Sequence, residues 1–356
     1  MAGHIALPEY VRYFNPNATK KELLMPATLN KYILTDLLRG KMGFNGLVVT
    51  DASHMVAMTS AMKRSEMLPT AIAAGSDMFL FFNDPEEDFE WMMEGYRKGI
   101  ITDERLEEAL TRILGTKAAL GLHKKAKTEI LPAKEEAMAK IGLEENKAIA
   151  KEVSDKAITL VKNTQDVLPI APEKTKRVLL VEAKGFDGGF GKFIEIMGGA
   201  KKKPIEIVKE LLEAKGFDVE IWESPIDKIM KLPKEEMAQA LGNVYAGKRP
   251  IAELTSKYDL IINIANVNAS VDQRLQWPPS KGTPDIPFYV NEIPTIFVSV
   301  KCPFHLADVP QVKTYINTYD DNQQTLEALV EKLVGNSEFK GISPVDAFCG
   351  FGDTRF

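Results

Sequence analysis

The residue best placed to do chemistry is Asp51, which follows a short apolar run in the stretch Gly46 to Met55, GLVVTDASHM. An apolar run bounded by a glycine and a polar turn is typical of a strand buried on both faces of a parallel sheet. Barrel and doubly wound enzymes carry their reactive groups at the carboxyl ends of such strands. Aspartate is also a favoured helix N-cap. Position alone therefore leaves a catalytic and a capping role open.

The elements around Asp51 alternate between helix and strand. Polar residues predict a loop over 8–17, and apolar spacing predicts a helix over 28–42, a helix over 66–74, a strand over 77–82, and helices over 86–98 and 102–120. This alternation is typical of a parallel α/β arrangement. Together with the short apolar stretch over 1–7 the pattern makes three strand–helix units. Three parallel strands do not close a barrel, which takes eight. We therefore expect either a small open sheet or part of a larger barrel.

A lysine- and alanine-rich stretch over 123–141 has little apolar period and is predicted to be a linker. It divides the chain into domains over 1–122 and 142–356. In the second domain the pattern predicts helices over 143–156, 205–215 and 322–334, and strands over 158–163, 177–183, 218–223, 260–267, 295–301 and 314–318. This second alternation predicts a doubly wound sheet.

Composition narrows the classes of function. The 356 residues are 45% hydrophobic, enough for more than one core, and the net charge of −5 offers no basic surface for nucleic acid. No stretch has the roughly 18 apolar residues that a membrane span needs. Cys302 and Cys349 match no metal-ligand spacing. Met1 to Tyr13 lacks the pattern of a signal peptide, and the compartment is left open.

Several segments together resemble glycoside hydrolase family 3, most closely its bacterial β-N-acetylglucosaminidases. The segments MAGHI, PATLNKYILTDLLRGKMGFNGLVVTDASHM, AIAAGSDMFLF and ITDERLEEALTRILGTKAALGL are similar to the closing part of that family's barrel. DKAITLVKN followed by LPI resembles the entry into its second domain, and FKGISPVDAFCGFGDTR resembles the end of two-domain members. The resemblance implies a partial (β/α) TIM-type barrel, made of the last three β/α units, followed by a doubly wound α/β sandwich domain.

The resemblance also implies a reaction. Asp51 stands at the family's nucleophile position, and the expected chemistry is retaining hydrolysis of terminal β-linked N-acetylglucosamine or glucose, with no metal or organic cofactor. The family's acetylglucosaminidases take their acid/base from an Asp-His pair upstream of MAGHI, and a Lys-His-Phe-Pro-Gly type motif binds sugar. Neither motif occurs in this sequence.

In the β-glucosidase branch the acid/base is a glutamate of the second domain. Glu223 and Glu292 are the nearest carboxylates here, but no loop has that branch's pattern. We therefore expect the chain alone to be inactive, and to represent a truncation, an internal start or half of a split gene.

The remaining candidates for substrate binding have two interpretations each. His54 would face the sugar or form a loop hydrogen bond, and His4 is expected to support the site rather than react. Met55 would line the pocket floor or belong to the core. Arg274 and Trp277 would clamp and stack on the sugar, or form an interdomain packing loop.

Two alternatives from other classes stay open. One is a non-catalytic sugar-binding or assembly subunit, completed in trans by a chain bearing the missing strands. The other is an α/β protein that uses this fold for a different ligand, because fold does not fix function. An open barrel edge would expose unpaired backbone groups, so we expect self-association or a partner chain that covers it.

Overall fold

The structure, a computed structural model, describes residues 1–185, 202–247, 250–267, 274–277 and 282–356. The chain forms two compact units, Met1–Met138 and Ala139–Phe356. The boundary lies within the stretch 123–141, which contains a short 3₁₀ turn, Lys127–Glu129, and the helix Lys134–Ala139.

The first unit is built on a small parallel sheet. Strand β1 (Val49–Ala52) pairs with β2 (Met78–Leu80), and Ala2 forms a parallel bridge with Thr50 on the other side of β1. The register slips along the β1–β2 pair, and the Leu80 N–H donates to the Thr50 hydroxyl at 3.0 Å. The helices are α1 Pro8–Phe14, α2 Lys20–Leu23, a 3₁₀ turn Ala27–Leu29, a π-helix Tyr32–Lys41, α3 Val56–Thr59, α4 Arg64–Ala73, α5 Pro85–Arg97, α6 Asp103–Ala119 and a 3₁₀ turn Leu122–Lys124.

Of two predictions for the start of the chain, one was wrong and the other was right only for residues 32–41. The predicted loop over 8–17 contains α1, which begins at Pro8, because proline is tolerated in the first helical turn, and fully buries Val11. The predicted helix over 28–42 is interrupted at Asn30. The Asn30 side chain accepts from the Tyr32 N–H at 3.0 Å, which competes with regular helical hydrogen bonding.

A buried carboxylate, Asp77, fastens the helices of the first unit to the beginning of β1. It pairs with Arg39 at 2.9 Å, with Arg112 at 3.3 Å and with Arg105, and it accepts the Val48 N–H at 2.9 Å. The Asp77 side chain has no exposed area, and the three arginines are 10% to 16% exposed. Strand and helices are thus joined through one anion.

The second unit contains a mixed six-stranded sheet, and the predicted α/β class is confirmed. The strand order is β3-β8-β7-β6-β4-β5, with β3 antiparallel to β8 and all other neighbours parallel. The strands are β3 Thr159–Asn163, β4 Arg177–Ala183, β5 Asp218–Ile221, β6 Leu260–Ala265, β7 Thr295–Ser299 and β8 Thr314–Asn317. Within the described ranges, the helices are α7 Lys134–Ala139 at the boundary, α8 Glu144–Ala157, α9 Pro204–Ala214, α10 Pro225–Ile229, α11 Lys234–Ala246, α12 Ile251–Lys257 and α13 Gln323–Leu333.

Both faces of this sheet are covered. Leu180 and Ile262 pack in one cluster with residues of α9 and α13, whereas Leu179 and Ile261 pack on the other face beside Tyr289. Strands buried on two faces carry apolar residues at nearly every position, which explains the near-continuous apolar runs in the sequence.

Candidate active site

Asp51 lies near the carboxyl end of β1, where its backbone and side chain are both held. Its N–H donates to the Ala2 carbonyl at 2.9 Å, and its Oδ1 accepts the Ala52 N–H at 2.8 Å. The capping role is excluded, because the N-cap of the next helix, α3, is Met55. Asp51 is partly buried, and a backbone donor fixes the orientation of its carboxylate.

The alternation of β1 decides which side of the sheet Asp51 faces. Val48 packs in a buried cluster with Leu34 and Ala74, and Thr50 is fully buried. Successive side chains of a strand point to opposite faces. Asp51 therefore faces away from the helix-packed side of β1.

His4 supports the turn that follows Asp51. The Ala52 carbonyl accepts the Met55 N–H at 3.1 Å, closing the turn, and His4 Nε2 lies 3.0 Å from the same oxygen. Nδ1 lies 2.8 Å from the Thr28 hydroxyl, and the residue is only 9% exposed. Because a carbonyl can only accept, Nε2 carries the hydrogen. Both ring nitrogens are engaged in holding the backbone beside Asp51.

A second network holds the loops after β1 and β2. Arg64 binds Asp88 through two hydrogen bonds of 2.8 Å and 2.6 Å, and it donates to the Ser53 hydroxyl at 3.0 Å. Asp88 also accepts the Asn83 N–H at 3.0 Å. The Ser53 hydroxyl in turn donates to the Phe81 carbonyl. The two strand ends are therefore connected through side chains.

The sequence did not point to this network. The signal available was a charged residue in the first turn of α4 and another in the first turn of α5. A negative charge such as Asp88 is favourable in the first turn of a helix, whereas a positive charge such as Arg64 is not. The pairing of the two residues with each other could not be inferred from spacing.

His54, Met55 and Phe81 line the exposed side of these loops. The rings of His54 and Phe81 are 5.9 Å apart and tilted by 39°. Met55 is 42% exposed, so it does not belong to the core of its unit. Phe81 is 61% exposed and has φ of +58°. The structure thus brings together Asp51, His4, His54 and Met55, and adds Phe81, which the sequence did not single out.

Arg274 and Trp277 lie in the second unit. Arg274 forms an ion pair with Asp308, whose hydrogen bond raises the pKa of the guanidinium, and Asp308 also accepts the Leu275 N–H at 3.2 Å. Trp277 is 37% exposed. Arg274 therefore has a local partner, and the sugar-binding roles of both residues stay predictions.

Glu223 has an environment that opposes a general-acid role. It lies 3.2 Å from Lys228 and 3.6 Å from Lys231, and the hydrogen bond to Lys228 lowers its pKa. A general acid needs a raised pKa to hold its proton near neutral pH.

The described parts of the chain give less support to a site at the other end of β1, to a metal centre or to a membrane span. A cavity of about 680 Å³ lies at the opposite, amino end of β1, beside Asn45, and three glutamates of α6 line it. Within the described ranges, no group of three or more His, Cys, Asp or Glu side chains could hold a metal ion. None of the described helices is both long and apolar enough to span a bilayer.

Comparisons with known proteins agree with this geometry. Residues 1–116 match the family described as "Glycosyl hydrolase family 3 N terminal domain". A "Beta-N-acetylglucosaminidase/beta-glucosidase" of Cellulomonas fimi is 39% identical over 359 residues, covering 100% of this chain and 58% of that protein.

Solved structures show the same fold. "Beta-glucoside phosphorylase BglX" superimposes with a TM-score of 0.81 at 39% identity, covering 100% of this chain and 58% of the other. A family 3 β-N-acetylglucosaminidase from Paenibacillus sp. str. FPU-7 superimposes with a TM-score of 0.63 at 22% identity, over 91% of this chain and 55% of the other. The chain thus spans a little over half the length of these relatives. It belongs to glycoside hydrolase family 3.

Proposed function

We propose that Asp51 is the nucleophile of a retaining glycosidase that acts on terminal β-linked N-acetylglucosamine or glucose. The observation that carries this proposal is the position of Asp51 near the carboxyl end of β1, with its carboxylate oriented by the Ala52 N–H. This strand end lies within the residues that match the family. The name of the Cellulomonas fimi relative, which includes both an N-acetylglucosaminidase and a glucosidase, supports the choice of these two sugars.

In the proposed reaction an Asp51 oxygen attacks the anomeric carbon while the bond to the leaving oxygen breaks. A second group donates the proton that the leaving oxygen needs. The resulting glycosyl ester is then displaced by water, whose proton returns to that second group. The network of Arg64, Asp88 and Ser53 would keep the strand ends fixed through both steps.

We also propose an architecture for the chain. Residues 1–122 would form the last three β/α units of a (β/α) TIM-type barrel, residues 142–356 a doubly wound α/β sandwich domain, and residues 123–141 the linker. The parallel alignment of Ala2, β1 and β2 supports the first part, and the six-stranded sheet supports the second.

We further propose that the acid/base group is not among the residues of this chain. Both ring nitrogens of His4 are engaged, and the lysines beside Glu223 lower its pKa. A segment or second polypeptide that pairs with the free edge of β2 would bring this group to Asp51. Among the described residues, β2 pairs on one side only.

The nucleophile is tested by trapping it. A 2-deoxy-2-fluoro glucoside with a dinitrophenolate leaving group needs no proton donor to form the glycosyl ester, and its fluorine slows breakdown of that ester. Mass spectrometry of the digested protein should therefore find the adduct on the peptide that contains Asp51. The adduct should vanish in Asp51→Asn and persist in Asp84→Asn, where the replaced aspartate caps α5. An adduct elsewhere would refute the assignment.

The missing acid/base is tested by turnover of nitrophenyl N-acetylglucosaminide and nitrophenyl glucoside. We expect little turnover from this chain alone, and a gain when a segment carrying an acid/base loop is added. Rates that match an intact family enzyme, and that disappear in Asp51→Ala, would contradict this part. Sugar binding that survives Asp51→Ala without any turnover would favour a sugar-binding subunit.

A second candidate reaction is phosphorolysis, favoured by the similarity to a β-glucoside phosphorylase. Phosphate would replace water in the second step and release a sugar 1-phosphate. Assays in phosphate buffer with the completed enzyme separate the two reactions, because only one product carries phosphorus at the anomeric position.

A further inference from the structure

Phe81 has a backbone conformation that is unfavourable for its side chain. Its φ of +58° lies in the left-handed region, which glycine enters freely and a bulky residue seldom does. Strained residues of this kind persist where the surrounding structure holds them, and they cluster at functional sites.

The surroundings of Phe81 do hold it. The Ser53 hydroxyl donates to its carbonyl, and Ser53 is fixed in turn by Arg64. Two residues further on, the Asn83 N–H is bound by Asp88 at 3.0 Å. The strained conformation is therefore held by part-buried polar contacts at the Phe81 carbonyl and at Asn83.

The side chain that this conformation presents is exposed rather than packed. Phe81 is 61% exposed and its ring lies 5.9 Å from the ring of His54, which belongs to the turn directly after Asp51. An aromatic pair held open to solvent at the carboxyl ends of two strands is a surface for a flat, partly apolar ligand.

We propose that Phe81 and His54 form a platform on which the apolar face of a β-linked pyranose stacks while its anomeric carbon is held near Asp51. This inference rests on the proposed function and adds a substrate-binding residue, Phe81, to it. A β-gluco-configured ring carries its axial hydrogens H1, H3 and H5 on one face, and that face fits an aromatic ring.

Saturation-transfer NMR on the full chain tests the platform without requiring turnover. The probes are methyl β-N-acetylglucosaminide and methyl β-glucoside. With the wild type we expect saturation to pass from the protein to the sugar, most strongly to the sugar protons H1, H3 and H5. With Phe81→Gly we expect at least a five-fold loss of transfer, although glycine is free of the backbone strain and the melting temperature should not fall by more than a few degrees.

Phe89→Ala is the matched control, because Phe89 is equally exposed, at 64%, on α5. It should leave transfer unchanged. Transfer that persists in Phe81→Gly, that is lost equally in Phe89→Ala, or that is absent from the wild type overturns the platform. Because binding is measured without bond cleavage, a failure here is distinct from a failure of Asp51 as nucleophile, which the trapping experiment reports.

Discussion

Replacing Asp77 by Asn tests how the first unit is held together. The substitution keeps the volume of the side chain but removes the buried negative charge that Arg39, Arg105 and Arg112 share. The more exposed Glu108 stays paired with Arg105 and Arg112. Breaking a buried ion pair on one side costs about 3–5 kcal/mol. Since Asn retains one acceptor for the Val48 N–H, we take the lower end, about 3 kcal/mol. For a unit of this size that corresponds to a melting-temperature decrease of roughly 12 °C.

Unfolding of the first unit can be followed through one fluorophore. Of the three tryptophans, Trp91 lies in the first unit, whereas Trp222 and Trp277 lie in the second. In a background with both of these changed to Phe, Trp91 fluorescence reports urea unfolding of the first unit.

The matched control is Asp36→Asn, which breaks an exposed 3.5 Å pair with Lys31. It should change the unfolding free energy by less than about 0.5 kcal/mol. Equal effects of Asp77→Asn and Asp36→Asn would refute the view that Asp77 fastens strand and helices.

Three further outcomes are expected. His4→Phe removes two buried hydrogen bonds and should destabilise the first unit by about 2 kcal/mol in the same urea assay; no change would contradict the role of His4 in holding the turn. Gly75→Ala should lower the free energy of unfolding by about 1–3 kcal/mol, because φ is +127° and the new Cβ would lie 2.9 Å from Thr35 Oγ1. Its control, Gly115→Ala, lies in open space on α6 and should raise the free energy of unfolding by about 0.5–1 kcal/mol. In the second unit, hydrogen bonds from Ser337 and then Lys332 lower the pKa of Asp155. The ionised Asp155 therefore adds to the free energy of unfolding above the unfolded pKa of about 3.9, and this stabilisation is lost as the pH falls through the lower folded pKa. Melting temperatures measured against pH should therefore fall less steeply below about pH 4 in Asp155→Asn than in the wild type, and parallel curves would exclude this linkage.

Much of the fold was predictable because burial leaves periodic patterns. The strand predicted over 177–183 is β4, Arg177–Ala183, and the helix predicted over 102–120 is α6, Asp103–Ala119. In both cases apolar residues repeat at the period of the element, and packing reinforces the local preference.

Local side-chain contacts decided the elements that were predicted wrongly or missed. Asn30 interrupts the helix around it by binding the Tyr32 N–H, and the spacing of apolar residues carries no sign of this. Helices α10 and α11 carry few buried residues, so their apolar pattern is faint.

The candidate site was predictable only in part. Asp51 stood out because a carboxylate follows an apolar strand, and this feature is local in sequence. The pairing of Arg64 with Asp88 spans 24 residues and depends on how two helices pack. The strained conformation of Phe81 is likewise a product of tertiary contacts, since nothing in a Leu-Phe-Phe-Asn sequence requires a positive φ.

The hydroxyl of Thr50 has a consequence for engineering the loop that follows it. It accepts the Leu80 N–H at the point where the register of β1 and β2 slips, so a side chain replaces a carbonyl in the ladder. Residues 51–55 grafted onto another scaffold would keep their sequence. They would lose the backbone direction that this hydrogen bond sets, unless a threonine or serine preceded them. Any transplanted form of this loop therefore has to begin at Thr50, one residue before the proposed nucleophile.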